Sequence, residues 1–590
     1  MEKIIKRTFF KFFGPTLVAS LALAVVSMTD LIVAGQLLGS SAFTAISLAL
    51  PVTIFVQIIA AIFGGGAGIV LSNLLGRGER EHCNRVFTTA LLSAVAIGII
   101  AAALGLLFLD PLILLLGGQP DGSMHDARQY IGILLLGMPF LILAPVQLTF
   151  LRNDSNPRYS MFCVLAGGVW NLIANISLVL LFDLGIAGIA IGTVTSQMLS
   201  CVLSGLKLYR KRSSFHLTKK QCWSLSAVAE MASPGLPAAM IFFFQVVLTV
   251  VINHTLAMTG GDSAVGVYAV VKYLITFLYA FYDGITGAIQ PMLGVYRGEG
   301  EIDNLRRTVS VSFKMMLLMS VGITLVLELG APVICMIFGV ESGMLDITIT
   351  AIRIQAMFCI TAGIIAFLGA CYRCTGHAGV AMAIAVCNNL IFPVSIILLL
   401  ANFSSLGSNS VYWGLVLTDY ATLLVLFCVL RILRRQGESP ILLIPTQDNQ
   451  ANGAVYQVLI QDKYEDIPRI SEEIDNFCEE HSVPIKKRYY ISLCIEELVV
   501  NIIQLGFRKE QDNYIDIRVS VLPDQQVALR IRDDAVEFDP TQSQEASLDD
   551  LMDGSHQEDH NELGLLLVKK VASSYSYKRT VGFNDFMVVL

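Results

Sequence analysis

Long apolar runs constrain this chain more than any other feature of its sequence. Twelve such runs, each longer than 20 residues, fall between residues 13 and 433. A helix needs about 20 mainly apolar residues to cross a bilayer, and in lipid only helices and closed barrels satisfy all of their own backbone hydrogen bonds. The composition agrees, because 55% of the residues are hydrophobic and 15% are charged, against roughly 25% charged in soluble proteins. A purely soluble protein is therefore excluded. We predict an all-α polytopic membrane part with transmembrane helices at 13–37, 42–72, 87–109, 128–150, 159–182, 186–208, 234–258, 263–290, 309–338, 347–371, 379–401 and 411–433.

The charge of the chain divides it into two regions. Residues 1–451 carry a net charge of +5 and residues 452–590 a net charge of −12. Neither region has the clustered basic surface that nucleic-acid binding requires, so no nucleic-acid partner is expected. We predict a membrane part over 1–435, a linker over 436–455 that is rich in Gln, Asn, Gly and Pro, and a soluble domain over 456–590.

Lysine and arginine gather in alternate loops between the predicted helices. Lys3, Lys6, Arg7 and Lys11 precede the first helix, and basic residues return in every second loop, whereas the intervening loops are mainly acidic. The first helix is too long for the apolar core of a signal peptide, so it should be retained. Because basic residues concentrate on the cytoplasmic side, we expect a multi-pass protein of the cell (inner) membrane with both termini in the cytoplasm.

The membrane part repeats itself. The segment 77–81, Arg-Gly-Glu-Arg-Glu, returns about 220 residues later as Arg-Gly-Glu-Gly-Glu at 297–301, and Gly-Ser-Ser-Ala at 39–42 returns as Gly-Asp-Ser-Ala at 261–264. We therefore predict two six-helix repeats, about 10–215 and 230–435. Parallel repeats of this kind are typical of secondary transporters that rock one half against the other.

These motifs resemble the MATE (multidrug and toxic compound extrusion) family. The resemblance covers about residues 10–435 and rests on Asp-x-x-x-x-Gly at 30–35, the two Arg-Gly-Glu-x-Glu loops, Gln290-Pro291 and Gly-Ile-Ala-Gly at 185–188. It implies a secondary active antiporter that exports organic cations or other amphipathic compounds in exchange for Na⁺ or H⁺, by alternating access of two six-helix lobes. Such a protein needs no cofactor for transport and is not an enzyme.

Polar residues in the predicted helices are candidates for ion and substrate binding, because a charge at bilayer depth costs at least ~2.5 kcal/mol. Asp30 lies at the family's cation-site position, and the resemblance assigns Asn171, Asn175 and Thr193 as its partners. Asn175 stands where the family pattern has a second acid. Hydrogen bonds that only hold helices together are the alternative for these residues. The candidates for the substrate cavity are Lys272, Asp283 and Asp419.

The soluble region reads as an α+β domain and resembles the GHKL ATP-binding fold in its anti-sigma-factor kinase version. The resemblance assigns Glu497 and Asn501 to a phosphate and Mg²⁺ site, with Asn501 as the Mg²⁺ ligand, Asp533 to the adenine amino group and Gly564 to a phosphate-binding turn. Mg²⁺ prefers oxygen ligands of this kind.

Two family glycines in this domain are replaced, by Ala535 and Glu562. We therefore predict a degenerate regulatory domain without kinase activity, which retains Mg-ATP binding or else docks a cytoplasmic regulatory protein. Two alternatives for the whole chain stay open. One is a lipid-linked sugar flippase of the same superfamily, and the other is a membrane-anchored sensor kinase of the anti-sigma type.

Overall fold

The structure is a computed structural model, and it forms two compact units. One unit contains residues 9–446 and the other contains residues 1–8 and 447–590. The predicted linker lies almost wholly outside the described residues. The described residues are 2–38, 40–116, 124–210, 213–218, 223–337, 344–433, 454–461, 463–506, 513–522, 526–536 and 560–590.

The membrane part is mainly helical in its described residues, apart from short connections such as 213–218, and many of its apolar side chains are exposed, as a lipid-facing surface requires. Its helices are α1 (Glu2–Leu37), α2 (Ser40–Leu48), α3 (Leu50–Ala60), α4 (Ala67–Arg77), α5 (Arg80–Leu107), α6 (Leu109–Leu115), α7 (Met124–Leu136), α8 (Met138–Asn153), α9 (Pro157–Leu180), α10 (Gly185–Leu208), α11 (Leu225–Glu299), α12 (Ile302–Ile337), α13 (Leu345–Ala356), α14 (Phe358–Thr375), α15 (Ala378–Val386), α16 (Phe392–Phe403) and α17 (Asn409–Leu433).

Helices occupy all twelve segments that the sequence predicts to span the membrane. By length and composition, ten described helices could cross a bilayer, and eleven if α7 and α8, bent by 52°, form one span. The predicted eighth span is the second half of α11, which follows a break at Gly261, where φ is 65°. Two π-helical turns, Ala61–Gly66 and Cys387–Ile391, interrupt the second and the eleventh of the predicted helices. The fold is the predicted all-α membrane architecture.

Among the residues that the structure describes, buried apolar side chains of the membrane part include two large cores. The first draws its residues from between Ala19 and Met231, and the second from between Ile252 and Val416. We call α1–α10 the N-terminal lobe and α11–α17 the C-terminal lobe. Each lobe therefore contains a packed core, and the first core also includes Ala227 and Met231 at the start of α11.

The two lobes meet where α4 packs against α11. Glycines bring the backbones together there, since a Cβ at Gly76 would lie 2.3 Å from the carbonyl oxygen of Val295, and one at Gly298 would lie 2.1 Å from that of Asn73. Only glycine fits positions where backbones approach this closely. In this conformation, the lobes are therefore closed against each other at the end where α4 and α11 finish.

The C-terminal domain packs three helices on one face of an antiparallel sheet of order β1-β2-β3-β5-β4. Alternate residues of β2, such as Ile515 and Ile517, are completely buried in the shared core. This is the predicted α+β fold. The elements are β1 (Ala454–Gln461), α18 (Asp466–Glu480), α19 (Ile485–Asn501), β2 (Tyr514–Val521), β3 (Val527–Asp533), α20 (His560–Val571), β4 (Ser574–Thr580) and β5 (Phe583–Val589).

One strand was not predicted from the sequence. β1 begins at Ala454, inside the stretch predicted to be linker, and pairs along its whole length with β2. Ile460 is the one buried residue of this strand, and its other residues are partly or fully exposed, so its alternation is weak in the sequence. Pairing with a strong central strand stabilises it.

Candidate functional site

Three helices of the N-terminal lobe bring the predicted cation-site residues together. The side-chain nitrogen of Asn175 in α9 donates to one carboxylate oxygen of Asp30 at 2.6 Å, and the hydroxyl of Thr193 in α10 donates to the other at 3.3 Å. The same nitrogen of Asn175 lies 3.4 Å from the side-chain oxygen of Asn171. The four residues therefore form one connected cluster.

Close packing of α9 and α10 makes this cluster possible. Asn171 and Asn175 are one helical turn apart and share a face. A Cβ at Gly192 would lie 2.0 Å from the side-chain oxygen of Asn175, so glycine is needed where α10 passes this amide. The oxygen of Asn175 and the amide nitrogen of Asn171 are buried without a hydrogen-bond partner. The cluster thus retains one hydrogen-bond acceptor and one donor that can bind a further group.

The carboxylate of Asp30 is surrounded by neutral partners. Asn175 and Thr193 donate hydrogen bonds to it and Asn171 lies beside them, and none of these three residues carries a positive charge. A buried charge without a counter-charge is costly. The site can therefore neutralise Asp30 with a proton, or with a cation held by its carboxylate, amide and hydroxyl oxygens.

Sequence reasoning missed one residue of this site. Tyr130 in α7 is 4% exposed, and its phenol lies within electrostatic range of Asp30. No motif marks Tyr130, because α7 reaches Asp30 only through the packing of the lobe. A tyrosine inside an apolar helix was the one available signal, since a buried hydroxyl usually has a polar neighbour.

Two of the three predicted substrate-cavity residues, Lys272 and Asp283, lie far apart. Lys272 and Asp283 are both exposed on the second half of α11, and eleven residues of helix separate them by about 16 Å. Asp283 lies instead within electrostatic range of Arg152 in α8 and Arg373 in α14, which occupy equivalent positions in the two repeats. Asp419 in α17 is completely buried.

In the C-terminal domain, α19 and α20 bring Glu497, Asn501 and Gly564 to one place. The amide nitrogen of Asn501 donates to the backbone oxygen of Glu497 at 2.8 Å, while its side-chain oxygen is buried without a partner. A Cβ at Gly564 would lie 1.9 Å from a carboxylate oxygen of Glu497. The unpartnered oxygen of Asn501 fits the oxygen ligand that Mg²⁺ would need.

Asp533 lies at the end of β3, the position predicted for adenine binding. One of its carboxylate oxygens accepts hydrogen bonds from the backbone nitrogen of Ala535 at 2.9 Å and from the side chain of Asn584 at 2.8 Å. Burial raises the pKa of Asp533 to about 6, although these two hydrogen bonds favour the charged form. Asn584, in β5 directly opposite Asp533, was not predicted, because strand register is invisible in the sequence.

Comparison with known families divides the chain into the same two regions that the sequence predicts, a membrane part and a C-terminal domain. The MatE family matches residues 15–177 and 237–398. The histidine kinase-like ATPase domain family matches residues 460–588. The two MatE matches fall in the two predicted repeats.

Curated relatives resemble the membrane part. The multidrug export protein MepA of Staphylococcus haemolyticus is 24% identical over 426 residues, which are 71% of this chain and 91% of that protein. MepA of Staphylococcus aureus is 23% identical over 427 residues, which are 71% of this chain and 92% of that protein.

Solved structures share the fold. An outward-facing multidrug resistance MATE family transporter of the MOP superfamily aligns with a TM-score of 0.66 at 18% identity, covering 71% of this chain and 94% of that one. A MOP superfamily transporter from Pyrococcus furiosus, whose structure is described as having a binding pocket of reverse polarity, gives the same TM-score and coverage.

The two-lobed helical fold, its repeats and the MatE match over more than half of the sequence lead to one conclusion: the chain belongs to the MatE family of membrane transporters and carries a histidine kinase-like ATPase domain at its C-terminus.

Proposed function

We propose that this transporter is a secondary active antiporter that exports organic cations or other amphipathic small molecules in exchange for Na⁺ or H⁺. One observation carries the proposal: among the residues that the structure describes, the groups that donate hydrogen bonds to Asp30 are the neutral side chains of Asn175 and Thr193. Such a carboxylate must bind a positive species whenever it is closed off from water. The MepA relatives are multidrug export proteins, which supports this substrate class.

Neutralising Asp30 would change the contacts between helices. With the carboxylate charged, Asn175 and Thr193 both donate to it. Protonation leaves one oxygen as a donor, and Na⁺ requires oxygens rather than amide hydrogens, so either event rearranges α1 against α9 and α10. The free energy of ion binding can in this way favour one arrangement of the lobes over the other.

We further propose that both termini of the chain lie in the cytoplasm and that the protein resides in the cell (inner) membrane. The alternating positions of lysine and arginine in the loops support this orientation. With that orientation, the contact between α4 and α11 closes the cytoplasmic side of the transporter. Asp283, with Arg152 and Arg373 near it, would lie towards the same side.

Transport in sealed vesicles tests the proposed function. Purified protein in vesicles loaded with a fluorescent organic cation should export it when a Na⁺ gradient or a pH gradient is imposed alone, and one of the two gradients should suffice. ATP should not be required, because an ion gradient supplies the free energy. Export that needs ATP, or none with either gradient, would contradict the proposal.

For the C-terminal domain, we propose a regulatory role that depends on bound nucleotide. Asn501, through its unpartnered oxygen, would hold a Mg²⁺ that neutralises the phosphates, and Asp533 would accept the adenine amino group. The domain would act by favouring one state of the transporter, and such coupling is typically worth about 1 to 3 kcal/mol. Docking of a cytoplasmic regulatory protein on the same domain is the alternative if nucleotide does not bind.

Asn501→Ala should abolish Mg-dependent nucleotide binding to the full-length protein. The substitution removes the oxygen that fits Mg²⁺ and leaves no group to replace it. Binding of a fluorescent ATP analogue, measured with and without Mg²⁺, gives the readout. The matched control is Asn476→Ala, on the exposed surface of α18, which should bind as the unchanged protein does. Absence of binding in the unchanged protein would favour the docking alternative, and full binding by Asn501→Ala would remove Asn501 from the site.

A further inference from the structure

The C-terminal lobe contains a second buried carboxylate that the Asp30 site does not explain. Asp419 in α17 is 0% exposed, and neither of its carboxylate oxygens has a hydrogen-bond partner of ordinary geometry. Leaving a buried carboxylate unsatisfied destabilises the protein strongly if the group is charged. Something must therefore compensate for it.

The polar groups closest to Asp419 are neutral. The side chains of Thr361 in α14 and Asn388 in the π-helical turn are the groups within reach of hydrogen bonding. Neither lysine nor arginine acts on the carboxylate among the residues that the structure describes. The titratable groups that face it are Tyr279 and Tyr282 of α11 and Cys359 of α14, which are weak acids and supply no positive charge.

The arrangement of donors and acceptors fits a protonated carboxyl group. The side-chain oxygen of Asn388 already accepts a hydrogen bond from Thr422 at 2.9 Å, which leaves its amide NH₂ to donate. The hydroxyl of Thr361 donates to the backbone oxygen of Phe358 at 3.0 Å, which leaves its oxygen to accept. A carboxylic acid needs one donor for its carbonyl oxygen and one acceptor for its O–H group. Asn388 and Thr361 offer that pair.

We propose that Asp419, with Thr361 and Asn388, forms an exchangeable proton-binding site in the C-terminal lobe. Binding converts the carboxylate and one proton into a carboxylic acid, whose O–H group donates to Thr361. Release reverses this and returns the proton to water. Together with Asp30, this site would give each lobe a titratable group for the proposed ion exchange. Its role in transport rests on the proposed function, whereas proton binding by Asp419 does not.

Two features of the surroundings of Asp419 bear on how protons reach it. Tyr279 of α11 interacts electrostatically with both Asp419 and Asp283, and Asp283 is exposed. Asn388 lies in a π-helical turn, Cys387–Ile391, an irregularity that is frequent at functional sites. Opening of this turn would admit water to the carboxyl group.

Infrared difference spectroscopy of the full-length protein in lipid nanodiscs tests the site directly. On acidification, the unchanged protein should gain a carboxylic-acid C=O stretching band that is lost in Asp419→Asn and restored, shifted, in Asp419→Glu. Proton uptake on acidification should fall by one proton per protein in Asp419→Asn. A spectrum and proton uptake identical to those of the unchanged protein would overturn the proposal.

A second variant, Thr361→Val, tests the proposal if Asp419→Asn does not fold. Thr361→Val preserves the shape of the side chain and removes the acceptor for the carboxyl O–H group, so the same band should shift in frequency while remaining present. An unshifted band would exclude the assigned geometry. Asp30→Asn is the comparison variant and should leave the Asp419 band in place. Because these readouts are independent of export, absence of transport would defeat the proposed function without deciding this site.

Discussion

Asp30→Asn is expected to reduce gradient-driven export to the level of protein-free vesicles, while the protein remains inserted and folded. Asparagine keeps the shape of the side chain but can neither bind a proton nor attract a cation, so neutralisation can no longer be coupled to movement. Removing a carboxylate from a membrane helix makes insertion less costly rather than more. Export in sealed vesicles with imposed Na⁺ and pH gradients, at matched protein levels, is the measurement.

Ser27→Ala is the matched control for this variant. Ser27 lies about one turn before Asp30 on α1, and its hydroxyl donates only to the backbone oxygen of Leu23, at 2.9 Å. The substitution removes a polar group from the same helix without touching the cluster, so export should be retained. Ordinary export by a well-expressed Asp30→Asn protein would reject Asp30 as the coupling residue.

Gly66→Ala is expected to shift the equilibrium between the conformations of the two lobes and to slow export strongly. A Cβ at Gly66 would lie 2.2 Å from the carbonyl oxygen of Met231 and 2.9 Å from the Cα atom of Gly235. Both are backbone atoms, so α11 must move away. Overpacking typically costs about 1 to 3 kcal/mol, which corresponds to a shift in population of about 5- to 150-fold.

Gly65→Ala is the control next to it in sequence. A Cβ at Gly65 would meet nothing within 4 Å, and both substitutions change the backbone entropy of the same π-helical turn. Distances between spin labels on the ends of α4 and α11 should lengthen in Gly66→Ala and stay unchanged in Gly65→Ala. Equal distances and equal export in the two variants would show that this contact does not govern the equilibrium.

The residues of the cation site were found from the sequence to different degrees. Asp30 stood out because a carboxylate in an apolar helix is costly in itself, and the family resemblance supplied Asn171, Asn175 and Thr193. The structure brings these four together. Tyr130 could not be found in this way, because it approaches Asp30 from a separate helix and belongs to no motif.

In the C-terminal domain, too, the sequence did not reveal residues that act through tertiary contacts. Its helices and the strong strands β2 and β3 follow from local periodicity, and the motif residues Asn501 and Asp533 follow from resemblance. β1 was missed because a weakly alternating strand depends on its neighbour for stability. Asn584 was missed because it reaches Asp533 through strand register, which links residues that are far apart in the chain.

The sequence by itself determined the twelve apolar segments, the two repeats, the division of charge and the presence of a separate acidic domain. These properties are local or periodic, since they depend on the hydropathy and spacing of residues within one helix or one repeat. Only the tertiary structure decided that Gly66 passes within contact of α11, that Asn175 donates to Asp30, and that Asp419 is enclosed by Thr361 and Asn388. Each of these depends on the packing of helices from distant parts of the chain, where a difference of a few tenths of an ångström determines whether two groups form a hydrogen bond.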